Sequence, residues 1–455
     1  MRDAMRDPLL LDRTDLERRE AEVLAPYASR SAEATRRIPV GEEGRHYDYR
    51  PAYQRDRDRI LHSRAFRRLK HKTQVFVPHL HDHPRTRLTH TLEVAQIGRT
   101  IARALALNED LVEAIALGHD LGHTAFGHTG ETVLREILAG ECPEIPLPPA
   151  VVREVGTFKH NYQSVRVVDL LERRYDHPGL DLTDRVREGI LKHTGWRKRL
   201  RFPLPDPEGL LLGAPCHLEG QVVALADEIA QQTHDLEDGL RAGSVRLEEV
   251  EALDVARRII ERLGADYTGE PRRWRRQNLL IRGLIHLFVT DAITASARRL
   301  ARFLDRKKVD SHQRYLEVER EIGATTVAFS TPVGPLFAGL KEFIYRFVIN
   351  HPEVNRQDWR ARKVVIGLFR AFWTNPLNLP TYVLLRAKEE LGFGFLRDLP
   401  LERIAGEIRE RYHSSPGFAR LVADHIAGMS DRFALEEYAT LETPGPDQRP
   451  TGDVR

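Results

Sequence analysis

The chain has 455 residues, 41% of them hydrophobic and 30% charged, with a formal net charge of +3. That length suffices for one large domain or two or three ordinary ones, and the near-balanced charge neither demands nor excludes an anionic partner. Cys142 and Cys216 lack metal-ligand spacing and point to a reducing compartment. The opening MRDAMRDPLLLDRTD is too charged for a secretory signal, and no apolar run reads as long enough to cross a membrane, so a cytoplasmic protein without a membrane partner is expected.

Helical periodicity runs almost throughout and strand-like alternation is rare, which predicts an all-α fold. Residues 1–52 read as a polar N-terminal segment with one short helix over Thr14–Tyr27. A core is expected over 53–240. Its first helix is read over Asp56–Lys72, with Ile60, Phe66 and Leu69 inward, and its second over Thr86–Leu107. Asn108 caps a third, which runs to about Leu121 and stops at Gly122. Tyr162–Arg174, Asp184–Lys192 and Leu218–Leu240 follow, separated by the loops ECPEIPLPPAV and FPLPDPEGLLLGAP. A C-terminal helical region occupies 241–441, and the tail 442–455 has a disordered composition.

Four residues stand out on the helical rows. His90 shares a row with Val94, Ile97 and Ile101; His119 continues the row of Val112 and Ile115; Asp120 lies about 100° round from it; Asp227 shares a row with Val223 and Ala230. Taken singly, each is better read as a structural core residue. Together, in the order H…HD…D, they put two imidazoles and two carboxylates on apolar faces, where an unpaired charge is costly. This donor set suits Mn, Fe, Ni, Co, Zn or Mg and leaves coordination positions free. The segment HDLGHTAFGHTGE adds His123, His128 and Glu131 around Gly122 and Gly127, more titratable groups than a surface loop usually carries.

The strings RTRLTHTLEVAQIGRTIARAL, HDLGHTAFGHTGE, FKHNYQSVRVVDLLE and LADEIAQQTHDLEDG, with PAYQRDRDRILHSRAFRRLKHKTQVF upstream and HIAGMSDRFALEEY downstream, resemble the HD-domain deoxynucleotide triphosphohydrolases, in particular the bacterial deoxyguanosinetriphosphate triphosphohydrolase-like proteins. The resemblance implies an HD-domain helical core with additional N- and C-terminal helices. It implies one divalent metal per subunit held by His90, His119, Asp120 and Asp227. The implied reaction is hydrolysis of a dNTP at the α-phosphorus, giving deoxynucleoside and tripolyphosphate.

Carried over by position, His128 and Glu131 match a catalytic His and its carboxylate partner, and His123 an active-site His near the phosphates. Arg87 matches a phosphate-contacting Arg, Gln74 a reader of the sugar 3′-hydroxyl, His160 a further active-site histidine and Asp235 an acidic residue near the sugar. Gln231 departs from the pattern, standing where relatives carry a Tyr that excludes a 2′-hydroxyl.

On chemistry alone, His128 can protonate the leaving 5′-oxygen or take a proton from water. Glu131 either holds the His128 tautomer or is a first-turn carboxylate behind a Thr129 N-cap. His193, in LKHTGW, reads as structural. Arg67, Lys70 and Lys72 are candidates for offsetting polyphosphate charge. Clusters Arg272–Arg276 and Asp305–Lys308 are basic helix surfaces, with single-stranded DNA or a regulatory nucleotide as the functional reading. The resemblance further implies a homo-oligomer and a dNTP effector. The alternative functions are another HD-type phosphohydrolase, acting on a nucleoside monophosphate, (p)ppGpp or a cyclic nucleotide, and a nucleotide- or nucleic-acid-binding regulator with vestigial activity.

Overall fold

A computed structural model describes residues 10–38, 49–74, 85–194, 202, 204 and 207–442. The first half is built from Arg13–Val23 (α1), Ala52–Leu61 (α2), Arg64–Arg68 (α3), Arg87–Ala104 (α4), Glu109–Gly118 (α5), Gly127–Leu138 (α6), Pro149–Val155 (α7), His160–Arg166 (α8), Asp184–Lys192 (α9) and Leu218–Ala242 (α10). Leu247–Glu251 (α11), Asp254–Leu263 (α12), Ala265–Thr268 (α13), Arg273–Lys307 (α14), His312–Val318 (α15) and Gly334–Ile344 (α16) follow. Pro352–Thr374 (α17), Thr381–Leu391 (α18), Leu401–Glu407 (α19), Pro416–Ala427 (α20) and Asp431–Glu442 (α21) complete the chain. The fold is all-α. Among the described residues there is no strand, only an isolated antiparallel bridge between Thr73 and Thr86. The tail expected to be disordered lies outside the described residues from 443 onward, as do 1–9 and 39–48 of the N-terminal segment.

Local chemistry explains most boundaries. The Asn108 side chain accepts from the Leu111 N–H and starts α5 as the sequence predicts. The helix read over Asp56–Lys72 is instead two. Ser63 takes an extended backbone and its hydroxyl accepts from the Phe66 N–H at 3.1 Å, restarting the chain as α3. Ile60, Phe66 and Leu69 are nevertheless all buried. The helix read over Tyr162–Arg174 begins earlier, at His160, and passes after Arg166 into a π-helical turn over Val167–Leu171. Thr129 is no N-cap, because α6 starts at Gly127 behind Phe126.

The apolar residues fall into two clusters. One joins α4, α5 and α10 through Val94, Ile101, Val112, Ile115 and Val223, and extends to Phe288 of α14 and Leu340 of α16. The other joins Val133, Leu134 and Ile137 of α6 to Val151 of α7, Phe369 and Phe372 of α17, and Phe418 and Val422 of α20. The HDLGHTAFG segment crosses from one to the other. Contrary to the reading of the sequence, one helix, α14, is long and apolar enough by length and composition to cross a membrane; its Leu280, Leu284, Phe288 and Ala292 row is buried in the first cluster. The two cysteines are buried and free.

One buried ion pair sets the α8–α9 corner. Arg187 of α9 donates from Nε to Asp169 Oδ1 at 2.9 Å and from Nη2 to Oδ2 at 2.7 Å, and both side chains are fully buried. This fork ties the π-turn to α9, so α8 and α9 present His160 and His193 to a common space. Removing Asp169 leaves the buried Arg187 relying on the partly exposed Asp184, 2.9 Å from Nη1, for counter-charge. Asp169→Asn is expected to lower the unfolding free energy by about 3 kcal/mol in a urea titration; a change under about 0.5 kcal/mol would refute this account of the corner.

Candidate metal and phosphohydrolase site

Backbone approach sets the site before any side chain does. His119 ends α5, and Gly122 follows in a tight turn against α8. A Cβ at Gly122 would stand 2.1 Å from the Ser164 nitrogen and 2.3 Å from the His160 oxygen, so only glycine lets the HD turn lie on the α8 backbone. Ser164 clasps that turn: its hydroxyl donates to the His119 carbonyl at 2.7 Å and accepts from the Gly122 N–H at 2.9 Å.

Around this turn runs an unbroken line of imidazoles. Ring centroids step from His234 to His90 (5.4 Å), His119 (5.7 Å), His193 (5.0 Å) and His160 (5.3 Å). From His160 they continue to His123, stacked at 3.9 Å, and to His128 at 5.5 Å. The proposed metal ligands fall in two groups sharing His119. His90, His119 and Asp227 form one, and His119, Asp120 and His193 the other; within each, the ligand atoms lie within 4.8 Å of one another. A third group is Asp120, His123 and His160.

The protons on these rings can be assigned from their partners. His119 Nδ1 is 2.6 Å from the Ala116 carbonyl, which can only accept, so Nδ1 carries the hydrogen. Its Nε2 is then the nitrogen left to take a cation, either a proton or a metal ion. It is buried, has no hydrogen-bond partner, and faces Asp120 Oδ1 at 3.3 Å and Asp227 Oδ1 at 3.7 Å. His234 sits 2.6 Å from Glu93 through Nε2 and 3.3 Å from His90 Nδ1 through its own Nδ1. A neutral His234 that donates to Glu93 accepts from His90 Nδ1–H, which leaves His90 Nε2 directed at Asp227 Oδ1, 2.9 Å away. A lone pair on either Nε2 would repel the carboxylate it faces. A cation between them reverses the sign, so the donor set fits a divalent metal.

Electrostatics agree. Burial opposes a charge on His119, but Asp120 and Asp227 outweigh it and push its pKa up to about 9. Burial likewise resists ionisation of Asp120, yet His119, His123 and Arg87 hold it well below the usual carboxylate range; His119 and His90 do the same for Asp227. Burial and Arg87 lower His123 and His128, leaving both neutral at pH 7. Burial takes His193 down to about 3 and His234 to about 4. Burial, reinforced by Asp238, pushes Asp235 up to about 8, so at neutral pH it is a hydrogen-bond donor.

The remaining sequence candidates converge with differences. Arg87 is buried, with Nη1 2.8 Å from Asp120 Oδ2. A Cβ on Gly127 would come within 2.9 Å of Arg87 Nη2 and 3.7 Å of the Gln74 oxygen, so these residues border one space. Gln74 Oε1 is buried and unpartnered. His128 is exposed at the mouth although protein crowds its ring on most sides. Glu131 does not hold His128. Its Oε2 accepts from the His160 backbone N–H at 3.0 Å and meets His160 Nδ1 at 2.6 Å, because the N-terminus of α8 draws the carboxylate. Thr129 Oγ1 donates instead to Asp358.

Lys72 is not available to phosphate: it is buried, with Nζ donating to the His123 and Ala427 carbonyls, and burial takes it down to about 7. Arg67 and Lys70 are exposed. The Arg272–Arg276 cluster is largely neutralised, Arg272 and Arg275 by Glu270, Arg276 by Glu251 and Arg273 by Glu248 at 3.8 Å. Sequence reasoning missed Glu93, His234 and Ser164, and it read His193 as structural. His234 has a faint sequence signal, lying seven residues after Asp227 in ADEIAQQTHD.

With His119 protonated in the metal-free protein, a divalent ion must displace that proton at neutral pH. Affinity for Mn²⁺ is therefore expected to rise about tenfold per pH unit between pH 6.5 and 9, with about one proton released in calorimetry across buffers of different ionisation enthalpy. A pH-independent affinity would contradict a protonated His119 in the metal-free protein.

Comparison with known proteins follows the same lines. A family model for the HD domain matches residues 87–231, and one for the phosphohydrolase-associated domain matches 327–392 and 393–440. The chain is 40% identical over 422 residues to a deoxyguanosinetriphosphate triphosphohydrolase-like protein of Geobacter sulfurreducens, covering 92% of this chain and 95% of that one. It is 40% identical over 427 residues to one of Azorhizobium caulinodans, covering 88% and 92%. It is 38% identical over 437 residues to one of Brucella canis, covering 93% and 96%. The chain belongs to the HD-domain deoxyguanosinetriphosphate triphosphohydrolase-like family.

Proposed function

We propose that this protein hydrolyses deoxynucleoside triphosphates, dGTP-like substrates among them, to deoxynucleoside and tripolyphosphate, with one divalent metal per subunit. The observation that carries the reading is the buried His119 Nε2 held between Asp120 and Asp227 beside the buried Arg87 guanidinium. His90, His119, Asp120 and Asp227 would hold the ion, which supplies Lewis-acid polarisation of a phosphate oxygen.

The chain's own groups account for the rest. Arg87, with an unpartnered buried Nε, offers donors to phosphate oxygens. Neutral His128, open to solvent at the mouth, suits the proton transfer: water oxygen bonds to the α-phosphorus, the bond to the 5′-oxygen breaks, and the proton from water ends on that oxygen. His123, stacked on His160, lines the phosphate side, and Glu131 with His193 orients His160. Gln74 and the protonated Asp235 serve the sugar hydroxyls. Gln231, one helical turn from each of Asp227 and Asp235 on α10, puts an amide where relatives carry a tyrosine, which supports tolerance of a 2′-hydroxyl.

The family likeness also supports a homo-oligomer and a dNTP effector. An aliphatic groove of about 840 Å³ between α4, α12 and α14, lined by Leu279, Ile285, Leu287 and Ile293, is consistent with an interface. The paired arginines of Arg272–Arg276 weaken the single-stranded DNA reading. The cytoplasm is the compartment this reading assigns.

Incubation of the Mn²⁺ protein with each dNTP and with GTP is expected to release tripolyphosphate, and GTP to be turned over within about 100-fold of dGTP. Orthophosphate or pyrophosphate as the product would reject the reading. His128→Ala is expected to lower kcat by about 10²- to 10⁴-fold, while leaving bound metal unchanged by elemental analysis. Light scattering at micromolar concentration is expected to give more than one chain per particle; a monomer would count against the assembly.

A further inference from the structure

One carboxylate outside the HD-domain match touches both sides of the site. Asp431 is the first residue of α21, in the stretch matched by the phosphohydrolase-associated domain, and it is buried. Its Oδ1 accepts from the Phe126 N–H at 2.8 Å, and its Oδ2 accepts from the Thr73 N–H at 2.8 Å and from the Thr73 hydroxyl.

Each donor adjoins a candidate site residue. Thr73 precedes Gln74, whose buried Oε1 is unpartnered. Phe126 is the N-cap of α6, the helix that carries His128 and Glu131. Phe126 and Gly127 both have left-handed backbones (φ 61° and 54°), and for Phe126 that conformation is costly without support. No side chain at Phe126 caps α6, so Asp431 supplies the negative charge this helix end favours. A parallel bond backs it. Lys72 Nζ links the His123 carbonyl to the Ala427 carbonyl at the end of α20. Residues 72–73, the turn 123–126 and the turn 427–431 thus meet in one buried junction.

Resting on the proposed dNTP hydrolysis, we propose that Asp431 is a positioning residue of the active site, setting the distance between Gln74 and His128 from the C-terminal region. The HD segment by itself has the ligand set but not this spacing. The phosphohydrolase-associated region thereby acquires a defined part in the chemistry: its carboxylate orients α6 and the Thr73–Gln74 segment without touching substrate. Loss of the charge should disturb the α6 end while sparing His90, His119 and Asp227, which ride on α4, α5 and α10.

The test uses the full-length metal-loaded protein with Asp431→Asn, nearly isosteric, and Asp431→Glu, which keeps the charge. Asp431→Asn is expected to retain bound metal by elemental analysis and cooperative melting. Amide hydrogen exchange over residues 122–131 should accelerate by about tenfold or more while α4, α5 and α10 stay protected, and kcat for a dNTP should fall by about tenfold or more. Asp431→Glu is expected to recover part of both. Wild-type exchange over 122–131, or acceleration spread uniformly through α4, α5 and α10, would overturn the proposal. If the wild-type protein releases no tripolyphosphate, the proposed activity fails, and the exchange measurement still decides whether Asp431 orders the α6 end.

Discussion

The structure depends on unlike requirements meeting in one largely buried seam. The Nε2 atoms of His90 and His119 are aimed at the carboxylates of Asp227 and Asp120. Away from bulk water those carboxylates call for a positive charge between them and the rings. A proton on His119 meets the need at neutral pH, and a divalent ion meets it better because it also offers open coordination positions. The outer groups are consistent with the same demand. Ala116 and the Glu93–His234 pair commit the far nitrogens of His119 and His90, which leaves the near ones to face the carboxylates.

The seam exists because the HD turn passes between two apolar clusters. On one side, α4, α5 and α10 bring the ligands together; on the other, α6 is drawn into a cluster with α17 and α20. A turn so placed has its backbone bonds answered by side chains from both sides: Ser164 at His119 and Gly122, Lys72 at His123, and Asp431 at Phe126. Gly122 is required there because helix backbone replaces its missing side chain. The C-terminal helices are thus packed into the wall of the site.

Much of this was legible in one dimension. Row-sharing of His90 with Val94 and of Asp227 with Val223 predicted that both point inward, and both lie in the cluster. The density of titratable groups around two glycines in HDLGHTAFGHTGE marked the turn. Where reading failed, the cause was a partner distant in sequence. Glu131 lies three residues from His128, and local spacing favoured that pair; the N-terminus of α8 took the carboxylate instead. Lys72 read as a candidate for offsetting polyphosphate charge because nothing nearby in sequence announces Ala427. His193 looked structural because its neighbours, His119 and His160, come from two other helices.

Sequence by itself determined the helical class, the inward set of His90, His119, Asp120 and Asp227, and the kinship with a phosphohydrolase family. The first two are properties of helical period and the third of motif order, all of which a chain carries without being folded. Tertiary structure alone decided which nitrogen of each imidazole faces the carboxylates, which carboxylate holds which histidine, and that a residue as distant as Asp431 borders the site. Those outcomes turn on distances between helices and on burial, and both come into being only when the helices pack.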